Sequence, residues 1–155
     1  MHTGEMSPLF PVSEIEVTYR NKVKESHDKR ISDSKDLYLQ FLNLWEEGKI
    51  DYVEQFKALY LNRANCVLGV FNVSTGGISE TIADVRIIFG TALKLNASYV
   101  AVCHNHPSGN VKPSRADELL TQVFREAGRI LHVKLLDHII ISRDRYYSFA
   151  DEGAL

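Results

Sequence analysis

The chain has 155 residues, 45% of them hydrophobic and 25% charged, which is enough for one domain with a real core. Lys+Arg 18 against Asp+Glu 20 leave a formal net charge of -2, so no global basic field announces nucleic-acid binding, although a local patch remains open. The apolar runs are broken by charges and too short for a bilayer, and MHTGEMSPLF carries no basic segment followed by an apolar one. Cys66 and Cys103 are too few for a disulfide framework, so the expectation is a cytosolic protein with two buried thiols and no membrane span.

In chain order, residues 1–33 read as an N-terminal arm. The alternating VSEIEVTYR predicts a strand or an extended arm, and the charged NKVKESHDKR a solvated stretch after it. Residues 34–155 are expected to form one domain. Leu37, Tyr38, Phe41, Leu44 and Trp45 fall at helix spacing behind an Asp/Ser cap, with Gly48 after the end. QFKALYLN and CVLGVFNV predict a hairpin turned at Asn62 to Asn65. DVRIIFGTALKL places Val85, Ile88, Phe89, Ala92 and Leu93 on one helix face. YVAVC reads as a buried strand that delivers the chain to His104. A helix fits Ser114 to Leu131, with Leu119, Leu120, Val123, Phe124, Ala127 and Ile130 inward. VKLLDHIIIS is then the last central strand and YYSFAD an edge strand. The fold class expected is α/β, a mixed β-sheet with helices on both faces.

The densest run of chemistry-capable side chains is CHNHPSGNVKPSRAD, residues 103 to 117. On an extended segment i and i+2 point the same way, so His104 and His106 present two imidazoles together while Asn105 points away. Ser114 and Asp117 open the following helix three residues apart, a spacing that lets the carboxylate reach back toward the histidines. Two imidazoles and one carboxylate leave a tetrahedral metal with an open position for water, the arrangement of catalytic zinc. Ser-x-x-Asp is equally a helix-capping sequence, and that reading stands beside the metal one for Ser114 and Asp117. Strand alternation sends Cys103 to the opposite face from His104, into the core.

HNHPSGNVKPSRAD follows the pattern H-x-H, seven residues, Ser, two residues, Asp, and so resembles the signature of the JAMM metalloproteases. HNHPSG followed by PS-x-x-D is similar to the RadC-like JAB branch, and the likeness runs from about Lys35 to Gly153 through GG, ALKLNASYV, AGRILHVKLLDHIII and YYSFAD. The resemblance implies a single JAB/MPN-like domain with a cytidine-deaminase-like layout, and a zinc-dependent hydrolase of peptide, isopeptide or other amide bonds with a peptide or protein substrate. It implies His104, His106 and Asp117 as zinc ligands, Ser114 as the motif serine that steadies the reacting oxygen, and Glu54 in VEQF as the proton shuttle, with Glu80 in GGISETI as its rival. Fuller RadC proteins carry an N-terminal helix-hairpin-helix region, where this chain has a short charged arm, which weakens a direct DNA-binding role. Arg86 matches a family arginine of unassigned role, and Asp137-His138 matches a recurrent pair that reads as a buried polar network or as support for the ligands.

The competing readings are a metal-dependent nuclease, a zinc deaminase and a non-catalytic or DNA-repair-associated module. The deaminase signature H-x-E with P-C-x-x-C is absent from the sequence. The string HNH is contiguous here, whereas the nuclease letters lie on separate elements. A scaffold that had lost a ligand or the Glu is disfavoured because all five positions are filled.

Overall fold

The computed structural model describes residues 11–20, 30–76 and 83–155. Within them the chain forms α1 (Ser34–Leu44), β1 (Gln55–Leu61), β2 (Val67–Thr75), α2 (Val85–Lys94), β3 (Tyr99–Asn105), α3 (Arg115–Leu131), β4 (Lys134–Ile141) and β5 (Tyr146–Ser148). Polar caps start the helices: the Asp33 carboxylate accepts from the Asp36 amide, Asp84 from Arg86, and Ser114 from Asp117. His132 ends α3 in the left-handed region at φ 57°. The last turn of α3 lies so close to the entry of β4 that a Cβ on Gly128 would collide with the Val133 carbonyl.

The strands make one sheet in the order β2-β1-β3-β4-β5. β1 runs antiparallel to β2 and β3, β3 and β4 are parallel, and β5 returns antiparallel along β4. A parallel pair needs a crossover, and α3 supplies it. One face of the sheet packs on α1 through Leu37, Phe41, Leu59, Cys103 and Ile139. The other packs on α2 and α3 through Phe56, Tyr60, Phe89, Val102 and Phe124. The pairing steps from Val100↔Leu135 to Ala101↔Asp137, so Leu136 is an extra residue in a β-bulge. Leu135 packs toward α3, Leu136 toward α1, and His138 again lies beside Phe124. No helix among the described residues is long and apolar enough to cross a membrane.

Two expectations change. Of the strand or extended arm read at VSEIEVTYR, residues 11–20 are exposed and form no strand, the Tyr19 hydroxyl donates to the Leu68 carbonyl at 3.2 Å, and the charged stretch after it lies, over residues 21–29, outside the described residues. On α3 the buried stripe is Thr121, Phe124 and Gly128, while Leu119, Val123 and Ile130 stay exposed. Thr121 and Gly128 carry no hydrophobic signal, so the apolar residues alone misplace the centre of the stripe by a fraction of a turn. Leu93 is likewise exposed on α2, where Ile88, Phe89 and Ala92 face the sheet.

Candidate metal centre

β3 is buried from Val100 to its end, so its alternation decides what each face receives. His104 falls on the α3 face, where its ring stacks on Phe56 with centroids 5.7 Å apart and planes 7° from parallel. His106 follows one residue beyond the strand and remains on the same side. Asp117 reaches them from the first turn of α3. The His104 and His106 Nε2 atoms lie 3.1 Å apart, His104 Nε2 is 3.1 Å from Asp117 Oδ1, and His106 Nε2 is 3.7 Å from Asp117 Oδ2. Metal–donor bonds of 2.0–2.1 Å at tetrahedral angles would separate neighbouring donors by roughly 3.3 Å. Among the described residues this is the one group of His, Cys, Asp or Glu side chains able to converge on a metal ion.

The hydrogen bonds behind the rings settle which nitrogens carry protons. A carbonyl only accepts, so Thr121 Oγ1 donates to the Asp117 carbonyl at 2.7 Å. Thr121 therefore accepts from His138 Nδ1, 2.7 Å away, and His138 Nε2 is left with a lone pair. That lone pair accepts from His104 Nδ1 at 2.9 Å. His106 Nδ1 donates to the Asn110 carbonyl at 2.7 Å. Both Nε2 atoms consequently turn lone pairs toward one another and toward a carboxylate oxygen. A proton on one Nε2 relieves one contact; a cation among the three relieves all of them.

Burial works to raise the pKa of Asp117, but His104 in its protonated form, with the amide and hydroxyl of Ser114, overcomes it and holds the carboxyl well below the usual range. Burial, the largest influence on His138, pushes its pKa well below that of a free imidazole and favours the neutral form the relay requires. His138 is fully buried, within ring contact of Phe56, Phe124 and Phe149. Of the two readings of the Asp137-His138 pair, a buried polar network or support for the ligands, the hydrogen bond to His104 gives His138 the second. The signal in the sequence was the Asp-His pair inside a strand expected to be central.

Capping and the approach to His104 engage different oxygens of the same carboxylate at the start of α3. Asp117 Oδ2 accepts from the Ser114 amide and hydroxyl, each at 2.7 Å, and the Asp117 amide donates back to Ser114 Oγ at 3.2 Å. Oδ1 remains turned to His104. Cys103 faces α1 instead, and burial pushes its thiol pKa well up.

Glu54 immediately precedes β1. Phe56 pairs with His104 and stacks on it, and the same two-residue alternation, continued one residue outside the strand, would carry Glu54 to that face toward His106. Its carbonyl accepts from the Gly76 amide at 2.9 Å. Glu80 lies outside the described residues. Arg86 pairs with Asp84 at the start of α2, 2.7 Å away and exposed. Asp137, on the α1 side of β4, accepts from the Ser148 hydroxyl at 2.6 Å and the Ala150 amide at 3.0 Å. A concavity of about 1100 Å³ lies at the opposite ends of β3 and β4 beside Ser98 and Lys134 and includes none of these site residues.

Residues 31–154 match the family model described as the RadC-like JAB domain. The chain is 40% identical over 151 residues to a UPF0758 protein of Flavobacterium johnsoniae, an alignment that covers 97% of this chain and 65% of that one. It is 47% identical over 103 residues to a UPF0758 protein of Porphyromonas gingivalis, covering 66% and 45%. It is 39% identical over 130 residues to one of Methanosarcina mazei, covering 83% and 55%. The chain thus spans less than two thirds of the length of these curated relatives, whose shared name states no activity.

Proposed function

The chain belongs to the RadC-like JAB domain family, and from that premise we propose that it is a zinc-dependent hydrolase of the JAMM type, acting on a peptide, isopeptide or other amide bond of a peptide or protein substrate. The observation that carries the reading is the convergence of two imidazole lone pairs and one carboxylate oxygen on a common point. His104 Nε2, His106 Nε2 and Asp117 Oδ1 would hold the ion, and this N/N/O set with one open position suits zinc. Zinc held there supplies a polarised substrate carbonyl and a water whose pKa is lowered to ~7.

The chain's own residues do the rest. Glu54, at the position that alternation would carry to the face of His104, takes a proton from the attacking water and returns it to the leaving amine. Ser114 Oγ, which donates to Asp117 Oδ2 in the structure, turns its hydroxyl proton to the oxygen that gains charge at the scissile carbon. His138 and Thr121 keep His104 in the tautomer that offers Nε2, and Phe56 covers one side of the His104 ring against water. Residues 34–155 act as the catalytic domain in this reading, with 1–33 an arm.

Glu54→Gln tests the assignment, because the amide is nearly isosteric and leaves the ligand set untouched. The variant should fold, keep about one zinc per chain and lose ~100-fold or more in turnover of an amide substrate selected from peptide and isopeptide libraries. Loss of zinc would make Glu54 a ligand, and unchanged turnover would move the shuttle elsewhere, with Glu80 next.

A further inference from the structure

The side chain between the two histidines makes three hydrogen bonds, all to backbone groups. We propose that Asn105 is a positioning residue that aims the Glu54 carboxylate at the metal edge by gripping the backbone on both sides of it; this rests on the reading of Glu54 as the proton shuttle. Asn105 is fully buried on the face opposite His104. Its Oδ1 accepts from the Gln55 amide at 2.7 Å, and its Nδ2 donates to the Val53 carbonyl at 2.9 Å and the Ile50 carbonyl at 2.7 Å. The partners are a backbone donor and two backbone acceptors, so the orientation of the side-chain amide is determined.

Two of these three bonds bear on one residue. The Val53 carbonyl belongs to the peptide plane that enters Glu54, and the Gln55 amide to the plane that leaves it. Peptide units are planar, so fixing both planes fixes φ and ψ of Glu54 and therefore the direction of its Cα–Cβ bond. The second plane is also held from just beyond β2 by the Gly76 amide on the Glu54 carbonyl. Only the side-chain torsions of Glu54 remain to be set. The bond to Ile50 ties in the preceding turn, so the whole approach to β1 is pinned to the end of β3. The backbone pairing of β1 with β3 stops at Phe56↔His104, and the Asn105 side chain extends the connection one residue beyond it. A single β3 dipeptide, His104-Asn105, thus sends a ligand to one face and a clamp for the base through the other.

A clamp that aims Glu54 and an asparagine that merely stabilises a turn differ in what they do to the metal environment. Cobalt substituted for zinc gives a visible band whose pH titration senses a neighbouring carboxylate. Glu54→Gln should keep about one cobalt per chain and move the midpoint down by ~1 pH unit, since a nearby negative charge opposes ionisation. Asn105→Ala should keep the cobalt and move the midpoint the same way, and the double variant should move it no farther than Glu54→Gln alone. A normal midpoint in Asn105→Ala beside a shifted one in Glu54→Gln overturns the clamp and leaves the shuttle standing. A normal midpoint in Glu54→Gln overturns both. If Asn105→Ala fails to fold, Asn105→Ser serves in its place, and hydrogen exchange of the wild type decides independently: the Gln55 amide should be protected as strongly as the β1 interior, and exchange at the rate of an exposed turn would overturn the proposal.

Discussion

Both faces of the sheet bury polar side chains, and they bury them to different ends. On the α1 face Lys57 donates to Asn72 Oδ1 at 2.6 Å and lies over the Trp45 ring, Asp137 accepts from Ser148 and Ala150, and Asn105 holds three backbone groups. Each of these groups is closed off locally. Among the described residues the unmet atoms there, Trp45 Nε1 and Gln55 Oε1, are single and belong to no converging set. On the α3 face the buried polar groups form a directed chain from the Asp117 carbonyl through Thr121 and His138 to His104, and the chain ends in lone pairs that meet other lone pairs. Burial of polar groups is common to structural and functional regions. What marks the site is a satisfied network that terminates in convergent acceptors.

The sharpest way to break that contrast is Asp117→Ala, which should reduce zinc from about one per chain to nearly none in metal analysis after dialysis. Full retention would return Asp117 to helix capping alone. Next in size is His138→Phe, which preserves ring volume beside Phe56 and Phe149 but removes the acceptor for His104 Nδ1. Zinc affinity, read by competition with a chelator, should fall ~10–100-fold, and an unchanged affinity would show that the relay does not orient His104.

The α1 face should respond to pH through Asp137 instead of through metal. Burial pushes that carboxyl up to about 6, against the pull of the Ser148 and Ala150 donors, from an ordinary value of 3.8. A raised carboxyl favours the folded state while protonated, so its contribution is full below about 4 and is lost as pH rises through 6, a change on the order of 3 kcal/mol. Denaturant unfolding of wild type and Asp137→Asn across that range should therefore diverge in slope, and parallel curves would refute the shift. The smallest effect is expected at Cys103→Ala, which should cost ~1 kcal/mol of packing and leave zinc stoichiometry unchanged. A loss of metal there would reverse the assignment of faces.

The order of helices and strands was legible because strong periodicity and cap residues coincide, as at Asp33, Asp84 and Ser114. The juxtaposition of the imidazoles of His104 and His106 was legible because alternation is a local rule, and the same rule excluded Cys103. The support behind His104 was legible only as one of two readings of the Asp137-His138 pair, and Thr121 not at all, because both are brought to His104 by sheet order and by the crossover helix across long sequence separations. The inner face of α3 was misread where Thr121 and Gly128 line the contact. Asn105 was read as pointing away, which is correct, but its partners there are backbone groups, and no side-chain pattern announces backbone acceptors.

The bulge at Leu136 makes β4 a strand with one spare residue. Val100↔Leu135 and Ala101↔Asp137 are consecutive rungs, so Leu136 occupies no rung of its own. Its removal leaves Leu135 toward α3 and Asp137 toward α1, and every rung from Asp137 to Ile141 keeps its partner. Removal of Ile139 or Ile140 instead shifts the frame of the neighbouring residues and turns part of the strand inside out. A central strand is ordinarily the last place to shorten a protein; here it holds a position where one residue fewer makes the ladder more regular and leaves His138 still facing His104.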